Sequence, residues 1–136
     1  MALSKKQEVE ELADSLGKSA DAAHARILSG LDKGEIKPTQ AQSLFQDEVT
    51  LRIRANALYL EAVKLTVQGL DLEQEGLVKL VDKATAQIKK IKKIEAFIDL
   101  VADLIVLAAA AYAAKPEPIL AACKEVKQDV EALMEA

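Results

Sequence analysis

Apolar residues recur along most of the chain in steps of three and four, the spacing of a helix face packed lengthwise against other helices. The longest such stretch runs from Leu72 to Lys115, with one glycine near its start and no proline. Its apolar positions are Leu77, Val81, Ala84, Ile88 and Ile91, followed by Ile98, Ala102, Ile105, Ala109 and Tyr112. The pattern predicts one helix of about 65 Å, at roughly 1.5 Å per residue.

The rest of the chain carries seams of the same period. The first seam is Val9, Ala13, Leu16, Ala20, Ala23 and Ile27. The second is Leu44, Leu51, Ala55, Leu58, Ala62 and Leu65, with Glu48 as its one polar member. The last is Ile119, Cys123, Val126, Val130 and Leu133. These seams predict three further helices.

Glycines and prolines mark where the predicted helices end. Residues 29–34 separate the first two helices, Gly69 has the position of a glycine that follows a helix, and Pro116 cannot continue the third. The four predicted helices cover roughly residues 4–30, 39–69, 71–115 and 118–135.

The connection at Gly69 is very short, so helices two and three are predicted to form an antiparallel hairpin. We therefore expect an all-α fold in a single domain, residues 1–136: an elongated antiparallel four-helix bundle dominated by this long hairpin. The second half of helix three, from Ile94 to Ala114, is apolar nearly all round, which predicts that other helices surround it.

Composition narrows the class of protein. The hydrophobic fraction of 51% excludes a disordered chain, and a net charge of −4 argues against a dedicated nucleic-acid binder. Cys123 is the only cysteine, and the N-terminus has no apolar signal core. We expect a reducing, cytoplasmic environment, with export by a signal-independent route left open.

The residues that catalysis or metal binding would need are sparse. His24 is the only histidine, and the Asp21-x-x-His24 spacing supplies half of a helical di-metal motif whose second half is missing. Cys123 lies in a seam, where a cysteine is usually a small core residue. We expect no enzymatic activity, no cofactor and no metal site.

Two surfaces are candidates for binding. In the predicted hairpin, six basic residues would form a belt that could meet an anionic lipid surface or an acidic partner, with an ordinary solvated face as the alternative. The belt consists of Arg52, Arg54, Lys89, Lys90, Lys92 and Lys93.

The second candidate is an apolar face of helix three, which is either buried in the bundle or inserted into a membrane. It consists of Phe97, Val101, Leu104, Ile105, Ala108 and Tyr112. Glu95, Asp99 and Asp103 lie on one stripe nearby and argue against a spanning helix. We expect Lys127 of the last helix to pair with Asp103.

The leading hypothesis is a non-enzymatic interaction or assembly protein that binds itself or a protein partner through its coiled-coil-like seams. The alternative is a membrane-active protein, either a pore-forming component or a lipid-surface coat, that uses residues 94–114 on an anionic membrane.

Overall fold

The computed structural model describes residues 1–135, and 79% of the chain is helical. The helices are α1 (Lys6–Asp32), α2 (Pro38–Leu60), α3 (Gln74–Lys90), α4 (Ile94–Ala113) and α5 (Pro116–Glu135). No strand occurs in these 135 residues. The all-α prediction is therefore confirmed, and the helices number five among the described residues.

Proline begins two of the helices. Pro38 and Pro116 are the first residues of α2 and α5, a position where the missing N–H is not needed. At the α1–α2 connection, Gly34 adopts a positive φ of 74°, and the N–H groups of Glu35 and Ile36 donate to the Gly30 carbonyl. This turn reverses the chain.

Helix α1 contacts two neighbours that run in opposite directions. Asp21 and His24 meet Arg52 and Glu48, so α1 and α2 are antiparallel. On another side, α1 and α3 run parallel, because Ser15 bonds Asp82 and Ser19 bonds Thr85 further along both helices. Helix α4 packs on α2 and α5, and α5 also packs on α3. The five helices thus close into a ring around one core.

The predicted hairpin of helices two and three is not found among the described residues. Helix α2 packs on α1 and α4, not on α3. It ends at Leu60, and residues 61–73 form turns and irregular backbone that buries Val67 and Leu70. This segment pairs with the N-terminus: Val67 N–H donates to the Leu3 carbonyl at 2.8 Å, and Ala2 N–H to the Leu72 carbonyl at 2.6 Å. Those bonds and the two buried side chains stabilise a loop where a tight turn was expected.

The predicted long helix is interrupted at residues 91–93, between α3 and α4. Ile91 turns to extended backbone, with φ −65° and ψ 130°, and its side chain is buried. Its carbonyl accepts a hydrogen bond from Nε of Arg26 at 2.8 Å, in place of a helical partner. Four lysines among residues 89–93 repel one another at helical spacing and weaken the helix here. No glycine or proline marks the break.

The interruption changes which side of the chain is buried. Before it, the predicted seam Leu77, Val81, Ala84, Ile88 and Ile91 is confirmed as buried, as are the seams of α1 and α2. After it, Ile98, Ala102 and Tyr112 of the predicted seam are exposed. The buried positions of α4 are instead Phe97, Leu100, Val101, Leu104, Leu107, Ala108, Ala110 and Ala111. The spacing of the buried residues in α4 is as predicted. The side of the helix that is buried differs from the prediction, because α3 and α4 are not one continuous helix.

None of the helices within residues 1–135 has both the length and the apolar character needed to cross a membrane.

We predict that Arg26→Met lowers the free energy of unfolding by about 1–3 kcal/mol, because it keeps the aliphatic stem but leaves the Ile91 carbonyl without its donor. The Arg26 side chain is only 9% exposed, and its ion pair with Glu35, at 3.3 Å, would also be lost. Urea unfolding measures the change. Lys18→Met, at an exposed position of the same helix, is the control and should stay within about 0.5 kcal/mol. Equal losses in the two variants would contradict the proposed role of Arg26.

Candidate interaction surface

Helix α2 is apolar on two opposite sides. Its inner side buries Leu44, Leu51, Ala55 and Leu58. Its outer side exposes Val49, Ile53 and Leu60, which are 49%, 61% and 81% accessible. The other exposed positions of this outer side are Gln42, Gln46 and Asn56, which carry no charge. Solvent-facing helix sides are usually charged, so this side is unusual for a surface that meets only water.

Helix α4 repeats this arrangement. Its outer side exposes Ile98, Val106 and Tyr112, with Ala102 exposed between them. Much of this stripe is the seam that the sequence pattern predicted, at Ile98, Ala102, Ile105, Ala109 and Tyr112. Ile98, Ala102 and Tyr112 of this seam are exposed, and Ile105 and Ala109 are half-buried, so no helix within residues 1–135 covers the exposed part of the seam.

The outer sides of α2 and α4 are adjacent. A groove of about 280 Å³ between the two helices is lined by Thr50, Ile53, Arg54, Ala57 and Tyr112. The combined surface, called the outer α2–α4 face below, is defined by Val49, Ile53, Leu60, Ile98, Val106 and Tyr112. Exposed apolar side chains that adjoin in this way are typical of an interaction site.

The exposed charges nearest to the α4 part of this face lie at its two ends. Glu95 and Asp99 are exposed on the first turns of α4. At the other end, exposed Lys115 follows the helix, and Arg54 lies in the groove beside Tyr112. Exposed Lys92 and Lys93 precede Glu95, and exposed Glu117 follows Lys115, so each end carries charges of both signs.

The six predicted belt residues lie in separate places. Arg52 is held by Asp21 at 2.7 Å and Glu48 at 3.3 Å, and these two carboxylates raise the pKa of its guanidinium. Arg54 borders the outer α2–α4 face. The four lysines are exposed around the α3–α4 interruption. Because α2 does not pack on α3, the register that would join arginines and lysines into one belt does not exist.

The predicted apolar face of residues 97–112 is divided in the same way. Phe97, Val101, Leu104 and Ala108 are buried in the core, and Ile105 is half-buried. Tyr112 is 48% exposed and belongs to the outer surface. Most of this set is therefore covered by the chain's own helices.

A polar network crosses the α1–α2 contact. Glu48, buried at 4% exposure, meets Nδ1 of His24 at 2.8 Å and Nε of Arg52 at 3.3 Å. The His24 ring also packs at a tilt on Phe45, 5.3 Å away. The polar residue Glu48 in an otherwise apolar seam was the only feature of the sequence that indicated this network. No group of three or more potential metal ligands occurs in residues 1–135, and the network ties two helices together.

The predicted Lys127–Asp103 pair is wrong. Lys127 reaches Glu131 on its own helix at 4.0 Å. Helix α5 begins two residues earlier than predicted, and Asp129 faces Asp103 instead. No donor from residues 1–135 reaches the buried Oδ2 of Asp129. Two carboxyl groups can form a hydrogen bond with each other only if one of them carries a proton.

The surroundings of Asp129 favour its protonated form. Burial raises the pKa of Asp129 to about 7, and the hydrogen bond to Asp103 and the charges of Asp103, Asp99 and Glu125 act in the same direction. An acid group with a raised pKa in the folded state binds its proton more tightly than in the unfolded chain. The α4–α5 contact is therefore weakened at alkaline pH.

Cys123 is a core residue, as predicted. It is 7% exposed, and burial raises the pKa of its thiol to about 11, so it is not a thiolate at neutral pH. It borders an open α3–α5 groove of about 550 Å³ whose lining includes lysines, one carboxylate (Glu131) and no histidine. This groove's one carboxylate lies 4.0 Å from Lys127.

Comparisons of this chain with protein-family models, with curated proteins and with solved structures find no match.

We predict that the contribution of Asp129 to stability falls as the pH rises from about 4 to about 7, because over this interval the folded state still holds the Asp129 proton and the unfolded chain has released it. Asp129→Asn removes this charge. It should raise the free energy of unfolding by about 1 kcal/mol at pH 8 and leave it nearly unchanged at pH 4. Thermal unfolding at both pH values measures the difference, with the exposed Glu11→Gln as the control. A variant that is less stable than the wild type at pH 8 would contradict this assignment.

Proposed function

We propose that this chain is a non-enzymatic helical interaction protein that binds an apolar helical surface of a protein through its outer α2–α4 face. The observation that carries the proposal is the absence of charge along the outer side of α2 together with an unpartnered seam on the adjoining α4. An uncharged helix side and an exposed apolar seam are both unfavourable in water. A helix packed against them would bury both.

The groove between α2 and α4 supports this proposal. It contains Tyr112 beside Arg54 and Ile53, and tyrosine and arginine are the residue types most often found at the energetic centre of protein interfaces. Tyr112 presents an apolar ring with a polar tip, and Ala57 leaves room beside it.

Catalysis has no comparable support. His24, the only histidine, is engaged with buried Glu48, and Cys123 is a neutral thiol in the core. General acid–base chemistry needs groups that are free to exchange a proton with a substrate in a cleft.

A membrane-active protein is the alternative, and the exposed lysines at the α3–α4 interruption are the feature that favours it. We predict that the protein does not float with vesicles containing anionic phosphatidylserine at pH 7 or pH 5, because the buried face of α4 stays covered by α2 and α5. Flotation that is lost in Lys92→Glu/Lys93→Glu would favour the membrane alternative over the proposal.

A site-specific photo-crosslinker tests the proposed face in the cells that contain the protein. Placed at Ile53, it should attach to a protein, whether a second copy or another chain. Placed at Gln7, an exposed residue of α1 outside the face, it should give no such product. Products only with lipid, or the same protein products from both positions, would contradict the proposal.

A further inference from the structure

We propose that the groove between α3 and α5 is a second binding site, and that it takes an acidic amphipathic helix of another protein. Its lining shares no residue with the outer α2–α4 face, so this site goes beyond the proposed function. The groove combines three features: an apolar floor, lysines along both sides, and an open position at Gly76.

The floor of the groove is apolar along its length. It includes Leu80 on α3 and Leu120, Val130 and Met134 on α5. Leu120 and Met134 are 36% and 61% exposed, so the chain's own core does not cover them. The distance from Leu120 to Met134 along α5 is about 21 Å, at roughly 1.5 Å per residue. A groove of this length and character can hold the apolar side of a helix.

Lysines border this floor on both sides. Lys79 and Lys83 lie on α3, and Lys124 and Lys127 lie on α5, while Glu131 is the one carboxylate in the lining. The chain as a whole has a net charge of −4, so this concentration of positive charge is local. The groove therefore attracts an acidic ligand and repels a basic one.

Carboxylates of the same helices neutralise two of the four lysines. The pairs are Lys79 with Glu75 at 2.7 Å and Lys127 with Glu131 at 4.0 Å. No carboxylate within residues 1–135 lies within 4.0 Å of Lys83 or Lys124. These two lysines are on opposite sides of the groove. A long-chain fatty acid carries a single charge and would meet one of them, whereas acidic residues on both edges of a helix can meet both.

The other acidic residues of α3 and α5 lie elsewhere. Asp82 accepts a hydrogen bond from Ser15 on α1, and Glu125 acts on Asp129 at the α4–α5 contact. The remaining exposed acids adjoin the outermost lining residues in sequence: Asp71 and Glu73 on either side of Leu72, Glu117 before Leu120, and Glu135 after Met134. The acidic side chains of the partner are therefore expected beside Lys83 and Lys124.

Gly76 leaves the groove open at one point on α3. It belongs to the lining, and a Cβ added there would meet no atom within 4 Å. Glycine is unfavourable inside a helix, but the missing side chain lets another helix approach closely.

A synthetic peptide tests the chemistry of the site on the full-length protein. The probe is a fluorescein-labelled helix of about 18 residues, about 27 Å long, with leucines at heptad spacing and glutamates beside them. It should bind saturably in a fluorescence anisotropy titration. The same peptide with lysine in place of each glutamate should not bind, because the groove repels it.

Charge reversal in the groove should weaken binding of the acidic peptide. Lys83→Glu with Lys124→Glu should raise its dissociation constant about 10-fold or more. Lys18→Glu with Lys33→Glu makes the same change in net charge at exposed positions outside the groove. This control should stay within about 2-fold of the wild type, because salt screens distant surface charges.

Filling the groove should have the same effect without a change in charge. Gly76→Leu should weaken peptide binding about 10-fold or more, and it should not unfold α3, because leucine is a better helix former than glycine. Gly17→Leu is the matched control, since this glycine of α1 also has open space around it and lies outside the groove. Circular dichroism confirms that both variants are helical.

Nuclear magnetic resonance locates the bound peptide. Chemical-shift changes should centre on Leu80, Leu120 and Val130, and changes centred on Ile53 and Tyr112 would place the peptide at the outer α2–α4 face and overturn the second site. Equal binding of the acidic and basic peptides, or binding that the groove variants do not weaken, would overturn it as well. If sodium oleate binds in the groove and the peptide does not, the occupant is a fatty acid and the proposal is wrong.

Discussion

The hydrogen bond from Arg26 to the Ile91 carbonyl is the contact on which the rest of the arrangement depends. It satisfies a buried backbone acceptor at the point where α3 stops, and so stabilises a break that an uninterrupted apolar pattern would otherwise span. Because three non-helical residues separate α3 from α4, the two helices can pack on different neighbours. Helix α3 joins α1 and α5, while α4 joins α2 and α5.

The break also determines which stripe of α4 faces water. This helix is apolar on nearly every side, so its composition alone does not select a buried face. Packing buries the stripe that includes Phe97, Leu104 and Ala108, and it leaves Ile98, Ala102 and Tyr112 outside. Helix α2 is likewise apolar on two sides. The exposed stripes adjoin, and their contact with protein is the proposed function of the chain.

Much of the fold could be predicted from residue patterns, and the failures have identifiable causes. The predicted seams of α1, α2 and α3 are buried. The spacing of apolar residues within each helix is enough to identify its buried side. The α3–α4 break was missed because it depends on Arg26, sixty-five residues away in sequence, and on charge repulsion that no glycine or proline marks. The hairpin at Gly69 was not confirmed because Val67 and Leu72 are hydrogen-bonded to the N-terminal segment, and Val67 and Leu70 are buried.

Cysteine accessibility along α4 tests most directly the claim that the break sets its phase. Single cysteines at positions 97 to 109, introduced into Cys123→Ala protein and diluted to favour the monomer, would be labelled with a maleimide under native conditions. We expect fast labelling at positions 98, 102 and 106, and slow labelling at positions 97, 101, 104 and 108. Fast labelling at the second set, with protection of the first, would mean that α4 continues the phase of α3 and would contradict the account.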